Sequence, residues 1–173
     1  MPRRIYVETC VILALLRREA GRIETVEPIF DAAGDEKPQL ELWTSTVSIV
    51  EVARVADDFP VSLADLERIK VFWSSKIVGM IDVDPTVAEL ARDLLHDRQA
   101  SANTNVEKFN RRKRICDSLH LASAISAGCE EFWTYEESDF AKYGTARIVI
   151  CSPYSYQLGL GLPAPDEGGR LSN

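Results

Sequence analysis

Short apolar runs alternate along this chain with longer stretches of helical period. The first run is Ile5-Tyr6-Val7, read as a strand over residues 3–7. Residues 40–44 (Leu40-Glu41-Leu42-Trp43-Thr44), 77–83, 131–135 and 147–151 have the same strand character. Between them the spacing predicts helices over 11–20, 23–33, 45–56, 63–75, 86–97 and 111–127, and a short one over 137–143. In 86–97, for example, Val87, Leu90, Ala91, Leu94 and Leu95 recur on one face. Gly21, Gly34 and Pro60 punctuate the pattern. Residues 99–110 form a polar loop. Strands alternating with helices predict an α/β fold, a three-layer sandwich with a central, mostly parallel sheet and helices on both faces. One domain is expected over residues 1–155. A loose tail is expected over 156–173, Pro- and Gly-rich from Pro163.

Composition narrows the class. The chain has 173 residues, 46% hydrophobic and 27% charged, which suits one domain with a real core. Its net charge of −7 does not suit a protein that coats nucleic acid non-specifically, although a local basic patch can still act alone. The four cysteines, Cys10, Cys116, Cys129 and Cys151, form no C-x-x-C pair, so a zinc ribbon or redox motif is not expected. With a strand beginning within five residues of Met1 there is no room for a signal peptide. The cysteines are therefore read as reduced, mostly buried thiols of a cytoplasmic protein. No apolar run approaches the roughly 18 residues that a membrane span needs.

Acids recur where strands end or helices begin. Glu8 follows the first apolar strand directly and precedes an apolar helix, a poor setting for a solvated carboxylate. Glu51 lies three residues after Ser48, which also fits a capping box. Asp117 sits in Ile115-Cys116-Asp117-Ser118-Leu119-His120-Leu121-Ala122, where a first-turn acid would be ordinary. Glu136, Glu137 and Asp139 follow the fourth strand, where first-turn acids are equally ordinary. A doubly wound sheet would bring all these segments toward one crevice at its carboxyl edge. Carboxylates crowded there would repel one another, and a divalent cation would remove that penalty. An all-oxygen set suits Mg²⁺ or Mn²⁺ rather than zinc. His120, on the Asp117 helix, could touch a substrate, but is read first as a partly buried structural histidine.

These motifs resemble the PIN-domain family, and particularly the VapC-like ribonuclease toxins of toxin–antitoxin pairs. Members open with a strand, an Asp-Thr or Asp-Ser pair and an apolar helix, as in Ile5-Tyr6-Val7-Glu8-Thr9-Cys10-Val11, with Glu8 at the Asp position. A Glu-bearing helix after the second strand matches Thr46-Val47-Ser48-Ile49-Val50-Glu51-Val52. A third acid opening a helix of the form D-x-x-x-x-A-x-A matches Asp117 through Ala124. The final Thr-x-Asp before a D-F pair is matched loosely by Trp133-Thr134-Tyr135-Glu136-Glu137-Ser138-Asp139-Phe140. Counting from Thr134 selects Glu136, and counting back from Phe140 selects Glu137.

The resemblance implies a metal-dependent endoribonuclease. Its catalytic acids would be Glu8, Glu51, Asp117 and Glu136 or Glu137, and Glu8, Asp117, Glu51 and Glu136 would hold Mg²⁺ or Mn²⁺. Thr9, Thr134 and Asp139 would steady those carboxylates or a bound water. It also implies a cognate antitoxin and a homodimer. Glu8 departs from the family pattern: the extra methylene carries its carboxylate outward by more than about one ångström, which matters at a cation that demands near-ideal octahedral geometry.

An acidic crevice repels RNA, so positive charge must lie nearby. Lys108-Phe109-Asn110-Arg111-Arg112-Lys113-Arg114 supplies it, with Lys108, Arg111, Arg112, Lys113 and Arg114 as phosphate contacts and Phe109 able to stack on a base. Arg17, Arg18 and Arg22 form a weaker patch, solvated or facing an antitoxin. The competing function is a catalytically weakened PIN-like scaffold that binds RNA or protein. A nucleotide-binding α/β protein is disfavoured, because no G-x-G-x-x-G or G-K-[ST] sequence is present.

Overall fold

The computed structural model describes residues 2–36, 38–58, 63–100 and 111–154. Most of the expected polar loop (101–110) and the expected tail (156–173) therefore lie outside the described residues.

Five strands, β1 (Arg3–Val7), β2 (Leu40–Ser45), β3 (Val78–Ile81), β4 (Glu131–Trp133) and β5 (Val149–Cys151), form one sheet in the order β3-β2-β1-β4-β5. Every pairing is parallel, so the expectation of a mostly parallel sheet becomes an all-parallel one. The helices are α1 (Thr9–Leu16), α2 (Ile23–Ala33), α3 (Val47–Asp58), α4 (Leu63–Ser75), α5 (Pro85–Ala100), α6 (Arg111–Ser126) and α7 (Glu137–Phe140), the last running into a 3₁₀ turn at Ala141–Tyr143.

The pleat sorts side chains to two cores. Ile5, Val7, Leu40, Leu42 and Trp133 point to one face, against Val11 and Ile12 of α1 and Val26, Ile29 and Phe30 of α2. Ile69, Phe72 and Trp73 of α4 close over that core. Tyr6 and Phe132 point to the other face, against Val87, Ala91 and Leu94 of α5, Leu121 and Ala122 of α6, and Phe140. A sheet buried on both faces has strands with continuous apolar runs, as in Ile5-Tyr6-Val7 of β1 and Phe132-Trp133 of β4. The result is the expected three-layer sandwich.

Several element boundaries differ from the sequence reading, for local reasons. Helix α1 covers 9–16 rather than 11–20. The Glu8 carboxylate accepts from the Cys10 N–H and starts the helix early, while Arg18, at φ 52°, turns the chain out of it. Helix α3 starts at Val47 rather than 45, because Ser45 stays in β2 and its hydroxyl accepts from the Val47 N–H at 3.1 Å. Strand β3 is shorter than 77–83, β5 shorter than 147–151, and α5 runs on to residue 100. Strand β4 stops at Trp133, since the Thr134 hydroxyl accepts from the Glu136 N–H at 3.0 Å and begins a turn.

The order of the strands fixes where a site can form. From β1 the chain steps outward to β2 and β3, then returns to lay β4 on the opposite side of β1. That reversal leaves a crevice at the carboxyl ends of β1 and β4, the usual binding place of open α/β sheets.

Candidate active site

Glu8 stands in this crevice as the residue after β1, and it is only 8% exposed. Its Oε2 accepts from the Cys10 N–H and from the Thr134 hydroxyl, each at 3.2 Å, which links the end of β1 to the end of β4. Both bonds fall on Oε2, so among the described residues Oε1 is left for another partner.

Glu51 comes from the second turn of α3. It does not serve the capping box that its spacing from Ser48 allows. Ser48 is fully buried and shares a 2.7 Å hydrogen bond with Thr44, whose hydroxyl donates to the Val7 carbonyl at 2.9 Å. Glu51 turns instead to Thr9 and His120, with Oε2 2.5 Å from the Thr9 hydroxyl, which donates to it, and 2.8 Å from His120 Nε2. Burial opposes the charge of Glu51, but these donors outweigh it and hold the carboxyl below the usual range.

Asp117 does not open its helix, as the sequence reading had it. Helix α6 begins at Arg111, which places Asp117 in its second turn at 7% exposure. The first-turn explanation for this acid therefore fails. Burial, with Glu8 and Glu136 nearby, pushes the carboxyl up to about 7, although Lys113 and His120 pull the other way.

His120 is one helical turn beyond Asp117 and 1% exposed. Besides Glu51, it meets Tyr6: Nδ1 lies 2.6 Å from the phenol oxygen, which also accepts from the Ser45 N–H at 3.0 Å. Burial alone would lower the pKa of this imidazole, but the bond to Glu51 overrides it and the pKa is raised. Sequence reasoning placed His120 on the Asp117 helix as a structural histidine; it is fully buried, and its Nε2 also meets the Glu51 carboxylate. Glu8, Glu51 and His120 each offer one ligand atom within 4.8 Å of the others. The spacing of Asp117 and His120 is the signal that could have found it, because residues three apart share a helix face.

The acids after β4 divide. Glu136 is half-buried, caps the start of α7 and has its Oε2 2.7 Å from Lys113 Nζ. Glu137 is exposed and accepts from the Ser152 hydroxyl at 2.5 Å, on the side of β5. Asp139 pairs with Lys113 at 2.7 Å and with Lys142 at 2.6 Å, and these cations draw its carboxyl down to about 2. The same two acids hold Lys113 above the ordinary lysine range against the opposing effect of burial.

Of the expected phosphate contacts, Lys113 is thus engaged by acids. Arg114 is half-buried, with its backbone carbonyl accepting from the Tyr143 hydroxyl at 2.8 Å. Lys108 lies outside the described residues, as do the side chains of Arg111 and Arg112. A further residue that sequence reasoning missed is Arg98, in the last turn of α5. Its spacing from Val87, Ala91 and Leu94 continues the buried stripe of that helix.

A metal can be tested against this donor set. Two carboxylates and an imidazole nitrogen, closely grouped and largely buried, fit a divalent cation. The set is mixed nitrogen and oxygen, beside the all-oxygen set expected from the sequence. All four cysteines are free thiols, and none belongs to that group.

Comparison with known proteins bears on the fold that carries these residues. The chain resembles VapBC2 of Rickettsia felis, solved bound to a promoter DNA fragment, at a TM-score of 0.63 and 9% identity, covering 86% of this chain and 98% of that one. It also resembles Mycobacterium tuberculosis VapC20, a toxin described as cleaving the sarcin-ricin loop, at a TM-score of 0.58 and 17% identity, covering 84% and 98%. A toxin–antitoxin complex from Klebsiella pneumoniae gives a TM-score of 0.53 at 18% identity, covering 88% and 99%. At these identities the likeness is one of fold. A search of curated proteins found no match. The PIN domain family model matches residues 5–145, a span that takes in Glu8, Glu51, Asp117, His120 and Glu136. On that match the chain belongs to the PIN-domain family.

Proposed function

We propose that this chain is a metal-dependent endoribonuclease and the toxin member of a toxin–antitoxin pair. One observation carries the reading: Glu8, Glu51 and His120 converge, with Asp117 beside them, in the crevice of a PIN-domain sheet. The resemblance to a toxin described as cutting an RNA loop, and to complexes described as toxin–antitoxin, supports the substrate class and the partner.

Glu8, Glu51, Asp117 and Glu136 would hold the cation, with His120 as a nitrogen donor or as the countercharge to Glu51. That nitrogen favours Mn²⁺ over Mg²⁺. When bound, a divalent cation supplies neutralising charge at a phosphate and lowers the pKa of nearby water, so that no side-chain nucleophile is needed. The protein supplies the rest. Thr134 and the Cys10 N–H hold Oε2 of Glu8, and Thr9 and His120 hold Oε2 of Glu51, so each carboxylate is aimed before substrate arrives. Asp117, whose carboxyl is pushed up to about 7, could take a proton from water, or lose its own to solvent as a cation binds. Four free thiols suit the reducing cytoplasm. Pairing with a second copy belongs to the same proposal.

A second reading has its own observation. His120, Lys113 and Arg98 already stand beside Glu51, Glu136 and Asp117 as basic partners, which suits a scaffold that binds without cutting. Titration of the purified chain with Mn²⁺ and Mg²⁺, by calorimetry and thermal shift, separates the two. The nuclease reading expects binding, metal-dependent cleavage of structured RNA and loss of both in Asp117→Asn. No binding at millimolar metal would leave the scaffold.

A further inference from the structure

Arg98 is the one charged group of α5 drawn into the interior. Its side chain is 9% exposed, as is that of Asp117. The guanidinium carbon lies 4.6 Å from the centroid of the Tyr143 ring, so the planar head is stacked and its orientation fixed. Nη1 points toward Asp117 but stops 3.8 Å from Oδ2, beyond hydrogen-bond distance. Among the described residues that nitrogen is fully buried and makes no hydrogen bond.

Such an arrangement is costly. Buried polar atoms in folded proteins are nearly always satisfied, and a buried guanidinium with an unused N–H forfeits hydration without recovering it. A helix C-terminus favours a cation, which accounts for an arginine at this end of α5 but not for the direction of Nη1. A structural partner for Asp117 would close to within about 2.9 Å and form two parallel bonds, as arginine–carboxylate pairs do. Here the gap is kept open, beside the acid that faces Glu8 and Glu136. An anion with spare acceptor oxygens would satisfy the free N–H. In an acidic crevice only an anion carried there by a larger substrate would stay.

We propose that Arg98 is a phosphate-contacting residue, whose Nη1 donates to a non-bridging oxygen of a nucleic-acid phosphodiester lying beside Asp117. The inference rests on the reading of this crevice as a site for RNA. It assigns the contact to a buried, pre-aimed arginine in addition to the basic run before Asp117. The head is already ordered on Tyr143, and because Nη1 is covered in the free chain, the contact requires a local opening beside Asp117 as substrate arrives.

The test reads binding rather than turnover. In an Asp117→Asn background, Arg98 can be changed without stranding a buried carboxylate. The full-length Asp117→Asn chain is compared with the same chain carrying Arg98→Met or Arg98→Lys. Affinity for a short fluorescent single-stranded RNA is measured by anisotropy over a series of salt concentrations, with melting curves as the control on folding. Arg98→Met is expected to weaken binding about tenfold, the value of one charge-assisted hydrogen bond. It should also lower the salt slope by about 0.7, the loss of one phosphate contact on a single strand. Arg98→Lys should restore the slope but not the full affinity. An unchanged affinity and slope in Arg98→Met, whatever happens to its melting temperature, makes Arg98 a structural partner of Asp117 and overturns the proposal. If Arg98→Met does not melt cooperatively, Arg98→Lys decides: affinity about threefold weaker supports the contact, and unaltered affinity overturns it. Equal loss on DNA of the same sequence supports the phosphate contact and widens its substrate. Cleavage of the same RNA by the unaltered chain with Mn²⁺ is scored separately. Arg98-dependent binding without cleavage ends the nuclease reading and keeps this one, and cleavage with no Arg98 dependence in binding does the reverse.

Discussion

Asp117 shows how burial holds a proton on an ordinary carboxyl. Its carboxyl is pushed up to about 7, so between its usual range and that value the folded chain holds a proton that the unfolded chain gives up. Stability from this group is therefore complete at low pH and falls as pH rises through about 7. Asp117→Asn, which cannot ionise, should melt several degrees higher than the unaltered chain at pH 8, with the difference vanishing near pH 4, as followed by calorimetry across that range. The same substitution should abolish RNA cleavage, so one change would raise stability and remove activity. His120 and Glu51 behave in the opposite way. The imidazole is fully buried, and removing it takes one hydrogen-bond partner each from Glu51 and Tyr6. His120→Leu should cost about 2–3 kcal/mol, a fall of roughly 4–12 °C in Tm. His120→Gln, which keeps an N–H donor, should cost less.

At the scale of elements, the pairing of β2 with β3 carries a steric constraint. Gly79 lies directly across from Trp43, and a Cβ built there would sit 2.6 Å from the Trp43 ring. Gly79→Ala must move a half-buried indole or push β3 off the sheet edge. It should destabilise the chain by about 1–3 kcal/mol, read as a lower denaturant midpoint with an unchanged slope. Trp43→Leu in the same chain should recover much of that loss, because the clash is with the ring. Element identity was largely legible: strands 3–7 and 40–44 and helices 23–33 and 63–75 fall where periodicity puts them. The start of α6 was legible too, but its consequence was not. Asp117 read as a helix-opening acid because the family pattern opens a helix there, whereas α6 has already run for six residues when it reaches Asp117.

At the scale of the whole molecule, a chain of net charge −7 gathers several of its acids at one end of the sheet and sets cations among them. A divalent ion that binds the folded chain alone should stabilise it by about 2.7 kcal/mol at one hundred times its Kd. Mn²⁺ should therefore raise Tm by several degrees, EDTA should reverse the shift, and Glu8→Gln should abolish it. A Tm indifferent to millimolar Mn²⁺ would leave the acids balanced by His120, Lys113 and Arg98 alone.

The linear chain determined the alternation of strand and helix, the apolar faces and the placing of Glu8, Glu51 and Asp117 near strand ends and helix starts. Those features depend on periodicity and on neighbours a few residues away, which local sequence records. The partners of those acids were decided only by tertiary structure. His120 became a neighbour of Glu51 because α6 packs across β1 from the opposite layer, and nothing between residues 51 and 120 encodes a 2.8 Å contact. Arg98 looks like any charge near a helix end until α5 lays it on Tyr143 and aims it at Asp117. Glu136 and Glu137, equivalent when counting residues, are sent apart by the turn that Thr134 makes after β4: one side chain goes to Lys113 and the other to Ser152. Charge pairing and desolvation act through space, and the distances involved exist only once the sheet has ordered its strands.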